Sequence, residues 1–213
     1  MMNDDVTLDS HHEASGFSDR FAYALVRFMR FFADVFFSGR YGHRAVVLET
    51  VAAVPGMVGG AIQHLHSLRR LKDDDNWIRT LLDEAENERM HLMTFLNIAR
   101  PTRLERFIIV VAQGAFYNAF FLLYILSSRT AHRLVGYLEE EAVISYTEYL
   151  EGIDSGRYEN VPAPPVAIRY WKLPEDARLR EVIEAVRADE AGHRDVNHDF
   201  ADRLDGGGGR VNA

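Results

Sequence analysis

The pattern Glu-x-x-His occurs twice, as Glu88-Arg89-Met90-His91 and as Glu190-Ala191-Gly192-His193. On an α-helix, residues i and i+3 lie on one face about a turn apart, so a carboxylate and an imidazole placed this way reach the same metal ion or adjacent ions. Two such helices, with one Glu from each of two others, make the di-iron carboxylate site of a four-helix bundle. Taken alone the repeat is weak. With 16 Glu and 9 His in 213 residues, chance supplies roughly 0.7 such matches, so the rest of the chain has to carry the reading.

Composition narrows the chemistry. A chain of 213 residues with 47% hydrophobic content is expected to form one compact domain, here placed at 17–204 between a disordered tail, 1–16, and a flexible one, 205–213. A net charge of −8 argues against nucleic acid as a partner. The absence of Cys removes disulfides, Cys-ligated zinc, iron–sulfur clusters and thiol catalysis. Redox chemistry is left to an oxygen- and nitrogen-ligated metal, an organic cofactor or Tyr and Trp. The acidic N-terminus has neither the apolar core of a signal peptide nor the Arg-rich, acid-poor character of a transit peptide. The chain is therefore expected to remain in its own compartment, most simply a bacterial cytoplasm.

The residue pattern predicts six long helices. The first, 17–38, has Ser18 as its expected N-cap. It holds 7 of the 13 Phe, interleaved with Arg20, Arg27 and Arg30. That mixture fits an interfacial membrane helix, or an ordinary amphipathic core helix. The second, 44–71, places Glu49 inside an apolar run, where a carboxylate has to be paired, protonated or metal-bound. Pro55-Gly56 is expected to kink it, and Gly59-Gly60 to allow close packing. The acidic stretch 72–76 lacks the ligand spacing of a calcium loop and reads as a solvated turn. The third helix, 77–99, brings Glu84, Glu88 and His91 onto one face.

Residues 107–128 contain no charged side chain and are long enough to cross a bilayer. Glu49, Glu88 and His91 precede this stretch, whereas Glu190 and His193 follow it. A single span would leave the two groups on opposite sides of the membrane. Gln113, Tyr117, Asn118 and Tyr124 also fit poorly in lipid. The expectation is a helix that dips into one leaflet, or a buried core helix. The fifth helix, 130–153, stacks His132, Glu139 and Tyr146 at seven-residue spacing, and Glu139 is the member of the Glu139-Glu140-Glu141 triplet expected to turn inward. Residues 152–174, with four Pro, read as a linker too Pro-rich for a regular helix. The last helix, 175–204, carries Glu190, His193 and Asn197 on one side.

The two halves of the chain share one order: a helix with Glu, a connection, and a helix with Glu-x-x-His. Glu49 precedes Glu88 by 39 residues, and Glu139 precedes Glu190 by 51. The difference of 12 is accommodated by the Pro-rich linker. This duplication predicts an all-α, ferritin-like four-helix bundle with two further membrane-facing helices, at 17–38 and 107–128. Four carboxylates and two imidazoles would converge on two metals, and oxygen donors with imidazole suit iron or manganese.

The stretches RYGHRAVVLETVAAVPGMVGG (40–60), LLDEAENERMHLMTFL (81–96), HRLVGYLEEEAVISYTEYL (132–150) and RADEAGHRDVNH (187–198) are similar to those of the alternative oxidases. These are membrane-bound di-iron ubiquinol oxidases that reduce O2 to water. The resemblance runs over about 18–204. It implies two iron ions held by Glu49, Glu88, His91, Glu139, Glu190 and His193, the set that spacing had already reached. It further implies that Tyr146 is a redox-active tyrosine. Asn87, His132, Asp189, Tyr170, Trp171 and Trp77 match supporting positions. Arg44, Ala45, Leu48, Glu141, Ala142 and Ser145 match a quinol pocket, and Arg20 an entrance to it.

The implied activity is a non-electrogenic ubiquinol oxidase, monotopic in one leaflet on the cytoplasmic face of a bacterial inner membrane, and homodimeric. Plant members carry regulatory N-terminal cysteines. This chain has no Cys, so thiol- and keto-acid-type control is expected to be absent. A di-iron quinone-ring monooxygenase shares the ligand logic, as does a ferritin-like iron-binding protein. The Phe-rich first helix disfavours the polar shell of a storage protein.

Overall fold

The computed structural model describes residues 7–8, 10–37 and 41–205. Among them the regular structure is helical: α1 (Gly16–Phe37), α2 (Tyr41–Arg70), α3 (Trp77–Ala99), α4 (Arg103–Leu126), α5 (Ser128–Asp154), α6 (Pro165–Trp171) and α7 (Leu179–Asp205). The described residues include no strand, only an isolated antiparallel bridge between Pro162 and Arg178. The expected all-α class is borne out. The glycine run 206–209 of the expected C-terminal tail lies outside the described residues.

The chain divides into two compact units. The first joins Met1–Tyr41 to His132–Phe200, and the second joins Gly42–Ala131 to Ala201–Ala213. In the second unit α2 and α3 pack closely because Gly56 has no side chain: a Cβ there would collide with the Leu81 carbonyl oxygen and sit 3.0 Å from Ala85. Pro55 lies buried inside α2, which continues past it as one helix. The polar residues of the uncharged stretch are used within this unit. Gln113 Nε2 donates to the Thr50 carbonyl at 3.1 Å, and Gln63 Nε2 donates to the Tyr124 hydroxyl at 3.2 Å. Burial raises the Tyr124 phenol well above its ordinary range. Helix α4 opens on a capping box: Thr102 Oγ1 accepts from the Glu105 amide while Glu105 accepts from the Thr102 amide. The Glu105 carboxylate also meets His43 Nδ1 at 2.9 Å. The turn before α3 uses its acidity locally, since Asp74 accepts from the Ile78 amide at 2.7 Å.

Three sequence expectations need correction. Ser18 does not cap α1. The helix begins at Gly16, whose φ is +78°, and Ser15 donates from both its amide and its hydroxyl to Asp19. The Pro-rich linker contains a helix, α6, with Pro165 in its first turn, where the missing amide proton costs nothing. Finally, the expected N-terminal tail is not detached over the described residues 7–8 and 10–15. Those residues lie in the first unit and bond to side chains of α5 and α7.

Candidate functional site

Each unit carries one of the two expected ligand sets. In the second unit, Glu49 comes from α2, and Glu88 and His91 come from one face of α3. All three are buried, Glu88 and His91 fully. His91 Nδ1 lies 3.3 Å from Glu49 Oε2 and 3.4 Å from Glu88 Oε2. In the first unit, Glu139 comes from α5, and Glu190 and His193 from α7. Glu139 and Glu190 are buried, and His193 is half-buried. His193 Nδ1 is 3.6 Å from Glu190 Oε2. Within each set, one donor atom per residue can be chosen so that all lie within 4.8 Å of one another.

The donor chemistry fits a metal. Two buried carboxylates within ligand distance of each other repel unless a cation is shared between them or one is protonated. Carboxylate oxygens with imidazole nitrogens are the donors that hard or borderline divalent ions such as iron and manganese take.

The supporting residues fall around these sets. Fully buried His132 meets Asn197 Oδ1 through Nδ1 at 2.9 Å, and Asn197 Nδ2 donates to the His193 carbonyl at 3.0 Å. Because the amide oxygen accepts, His132 holds its proton on Nδ1. Burial lowers its pKa to about 4, against the raising effect of that hydrogen bond, so the ring is neutral near pH 7. Trp171 Nε1 donates to Asp189 Oδ2 at 2.8 Å, tying α6 to the residue before Glu190. Tyr170 packs edge-on against Trp171 and is part-exposed. Tyr146 is buried, on the α5 face that carries His132 and Glu139. In the second unit, Trp77 and Asn87 are half-buried on α3.

The expected quinol residues are also divided. Arg44 and Ala45 are buried and Leu48 half-buried on α2 of the second unit. In the first unit, Glu141 and Ala142 are half-buried and Ser145 is buried on α5. There Arg30 of α1 donates to Glu141 Oε2 at 2.9 Å and to Ser145 Oγ at 3.2 Å, and Arg27 donates to Glu141 Oε1 at 2.9 Å. Arg20, the expected entrance residue, is exposed.

Sequence reading missed a second polar face one residue on from the ligand face. Glu140 and Arg133 on α5, and Arg194 and His198 on α7, are all buried. Burial pushes the Glu140 carboxyl up, but hydrogen bonds from His198, the His12 amide and His11 hold it below the ordinary carboxylate range. The i, i+7 spacing of Arg133 and Glu140 was the available signal.

The family model described as "Alternative oxidase" matches residues 3–202. The chain belongs to the alternative oxidase family. Among similar relatives is "Ubiquinol oxidase, mitochondrial" of Mangifera indica, 58% identical over 197 residues, covering 92% of this chain and 62% of that one. "Ubiquinol oxidase 1a, mitochondrial" of Arabidopsis thaliana is 58% identical over 200 residues, covering 93% and 56%. A fungal relative, "Ubiquinol oxidase, mitochondrial" of Batrachochytrium dendrobatidis (strain JAM81 / FGSC 10211), is 58% identical over 194 residues, covering 91% and 61%. The chain thus spans about three-fifths of the length of the curated relatives it matches. The alternative oxidase motifs expected from 40–60, 81–96, 132–150 and 187–198 all fall within the matched region.

Proposed function

We propose that this chain is a ubiquinol:oxygen oxidoreductase in which Glu49, Glu88, His91, Glu139, Glu190 and His193 serve one di-iron centre. One observation carries the reading: each half of the chain brings two buried carboxylates and an imidazole within 4.8 Å of one another, in a chain of the alternative oxidase family. Three donors leave a site incomplete, and two such sets make the four-carboxylate, two-imidazole complement of a di-iron bundle.

Non-haem iron bound there supplies the one-electron chemistry that joins a two-electron donor to O2. A quinol yields two electrons and two protons, and O2 needs four of each to become two waters, so two quinols are consumed per O2. Glu141 and Ser145, held by Arg30, with Arg44, Ala45 and Leu48, are assigned to the quinol head group. Tyr146 is assigned to supplying an electron and a proton from its phenol, which limits release of partly reduced oxygen. Neutral His132, fixed through Asn197 to the carbonyl of His193, holds that ligand's segment of α7. The further assignments are monotopic association through α1 and α4 on the cytoplasmic face of a bacterial inner membrane, and a homodimer.

The deciding measurement is quinol-dependent O2 uptake by the membrane-bound protein with cyanide present, paired with iron analysis. Uptake with oxidised quinone as the organic product supports the oxidase, whereas a hydroxylated ring would mean a monooxygenase. Glu88→Ala is expected to lose both iron and uptake, and a variant keeping both would remove the ligand assignment. Tyr146→Phe is expected to keep iron but turn over about a hundredfold more slowly or worse, the scale of a positioned proton donor.

A further inference from the structure

In the first unit, the described part of residues 7–15 is fastened at two points. Arg194 is 1% exposed and donates to three main-chain carbonyls of this segment: Thr7 at 2.7 Å, Leu8 at 3.3 Å and Ser10 at 3.4 Å. Its Nε goes to Asp195 at 2.8 Å. The Glu140 carboxylate is 8% exposed and meets His11 Nδ1 at 2.5 Å, the His12 amide at 2.8 Å and His198 Nε2 at 3.0 Å. Two of those three partners belong to the N-terminal segment. Without the segment the buried guanidinium would keep only Asp195 and the buried carboxylate only His198, so each would lose most of its hydrogen bonds while still buried.

The network then closes on itself. His198 Nδ1 meets Arg133 Nη1 at 2.9 Å, Arg133 Nε donates to fully buried Asp19 at 3.2 Å, and Ser15 Oγ donates to Asp19 at 3.1 Å. Gly136 makes room for it, since a Cβ there would sit 2.5 Å from His198 Cε1.

The two anchors are the residues immediately after two ligands. Glu140 follows Glu139, and Arg194 follows His193. One residue along an α-helix is a rotation of about 100°, so each anchor projects from a different face of its helix than the ligand beside it. Rolling α5 or α7 enough to withdraw a ligand would also pull an anchor out of its bonds.

We propose that the described N-terminal residues 7–8 and 10–15 are a strap whose hold on Glu140 and Arg194 sets the roll of α5 and α7, keeping Glu139 and His193 in place to retain metal. Glu140 and Arg194 are positioning residues in this scheme. The proposal rests on the reading of Glu139, Glu190 and His193 as metal ligands.

The test follows iron loss from the iron-loaded, detergent-purified full chain to a ferrous chelator in excess. The chain lacking residues 2–12 is expected to lose iron faster, by about tenfold or more, the scale on which removing ligand-supporting contacts lowers metal affinity. Its helix content should be unchanged, and a peptide of residues 1–16 added in trans should slow the loss again. His11→Ala, a change at a half-exposed side chain, reads the same effect in an intact chain, at a few-fold, should the shortened one fail to fold. Wild-type rates in the folded variants would overturn the strap, as would iron loss that merely follows global unfolding in denaturant. A wild type that holds no iron would remove the ligand reading itself, an outcome distinct from failure of the strap.

Discussion

His132 is fully buried, neutral near pH 7, and bonded to Asn197. Its folded pKa of about 4 lies below the ordinary 6.5. The unfolded chain therefore binds this proton more readily, and the stabilising contribution of the neutral ring, complete above pH 6.5, is lost as pH falls towards 4. Within that window each pH unit costs about 1.4 kcal/mol. The melting temperature of wild type is expected to exceed that of His132→Phe near pH 7.5, by a margin that shrinks on acidification towards pH 5. A margin that stays constant would show that this ring does not titrate between the two states. The proposed ligands were legible as candidates at this scale, because a carboxylate inside an apolar run or repeated at helical spacing is visible without a structure. Glu140 was not, since its partners are a main-chain amide at His12 and side chains 129 and 58 residues away in the chain. No local pattern encodes a carboxylate's remote partners.

At the level of elements, the α2–α3 contact turns on Gly56. Gly56→Ala forces a methyl group against the Leu81 carbonyl, and because that obstacle is backbone the helices must separate. The expected cost is about 1–3 kcal/mol of stability, the range for overpacking, with lowered iron content, since Glu49 and Glu88 lie on the separating helices. Denaturant melts and metal analysis check this, and an unshifted midpoint would mean the contact yields freely. Helix existence was legible in every long element, from periodicity or, for α4, from a long uncharged run, and α3 was placed at both ends. Helix α6 was missed because Pro counts against a helix everywhere except its first turn, and the sequence alone does not say where that turn falls. The N-terminal segment was read as a tail for a related reason. It has little apolar surface, and it is held by buried charges on helices far along the chain.

At the level of the whole molecule, the proposed membrane association raises the question of which side each part would occupy. Two helices are long and apolar enough to cross one, but 61% of the apolar stretch in α2 is buried, against 11% in α4. Helix α4 exposes Phe107, Val110, Val111, Leu122, Ile125 and Leu126, and α1 exposes Phe17, Phe28, Phe31 and Phe32. In sealed vesicles, protease sites engineered near 73–75 and near 156–159 are expected to be cut from the same side. Cleavage from opposite sides would mean that α4 spans the bilayer. The sparse burial of α4 has a consequence for how this sequence can vary. Only Glu105, Phe120 and Tyr124 of its 24 residues are buried; on the proposed monotopic association, what matters for most of the others is that the side chain be apolar, not which apolar side chain it is. Information in this helix is therefore compositional, whereas in α3 and α7 it is positional. Random exchange of Leu, Ile, Val and Phe should be nearly silent along the outer face of α4, yet costly one helix away.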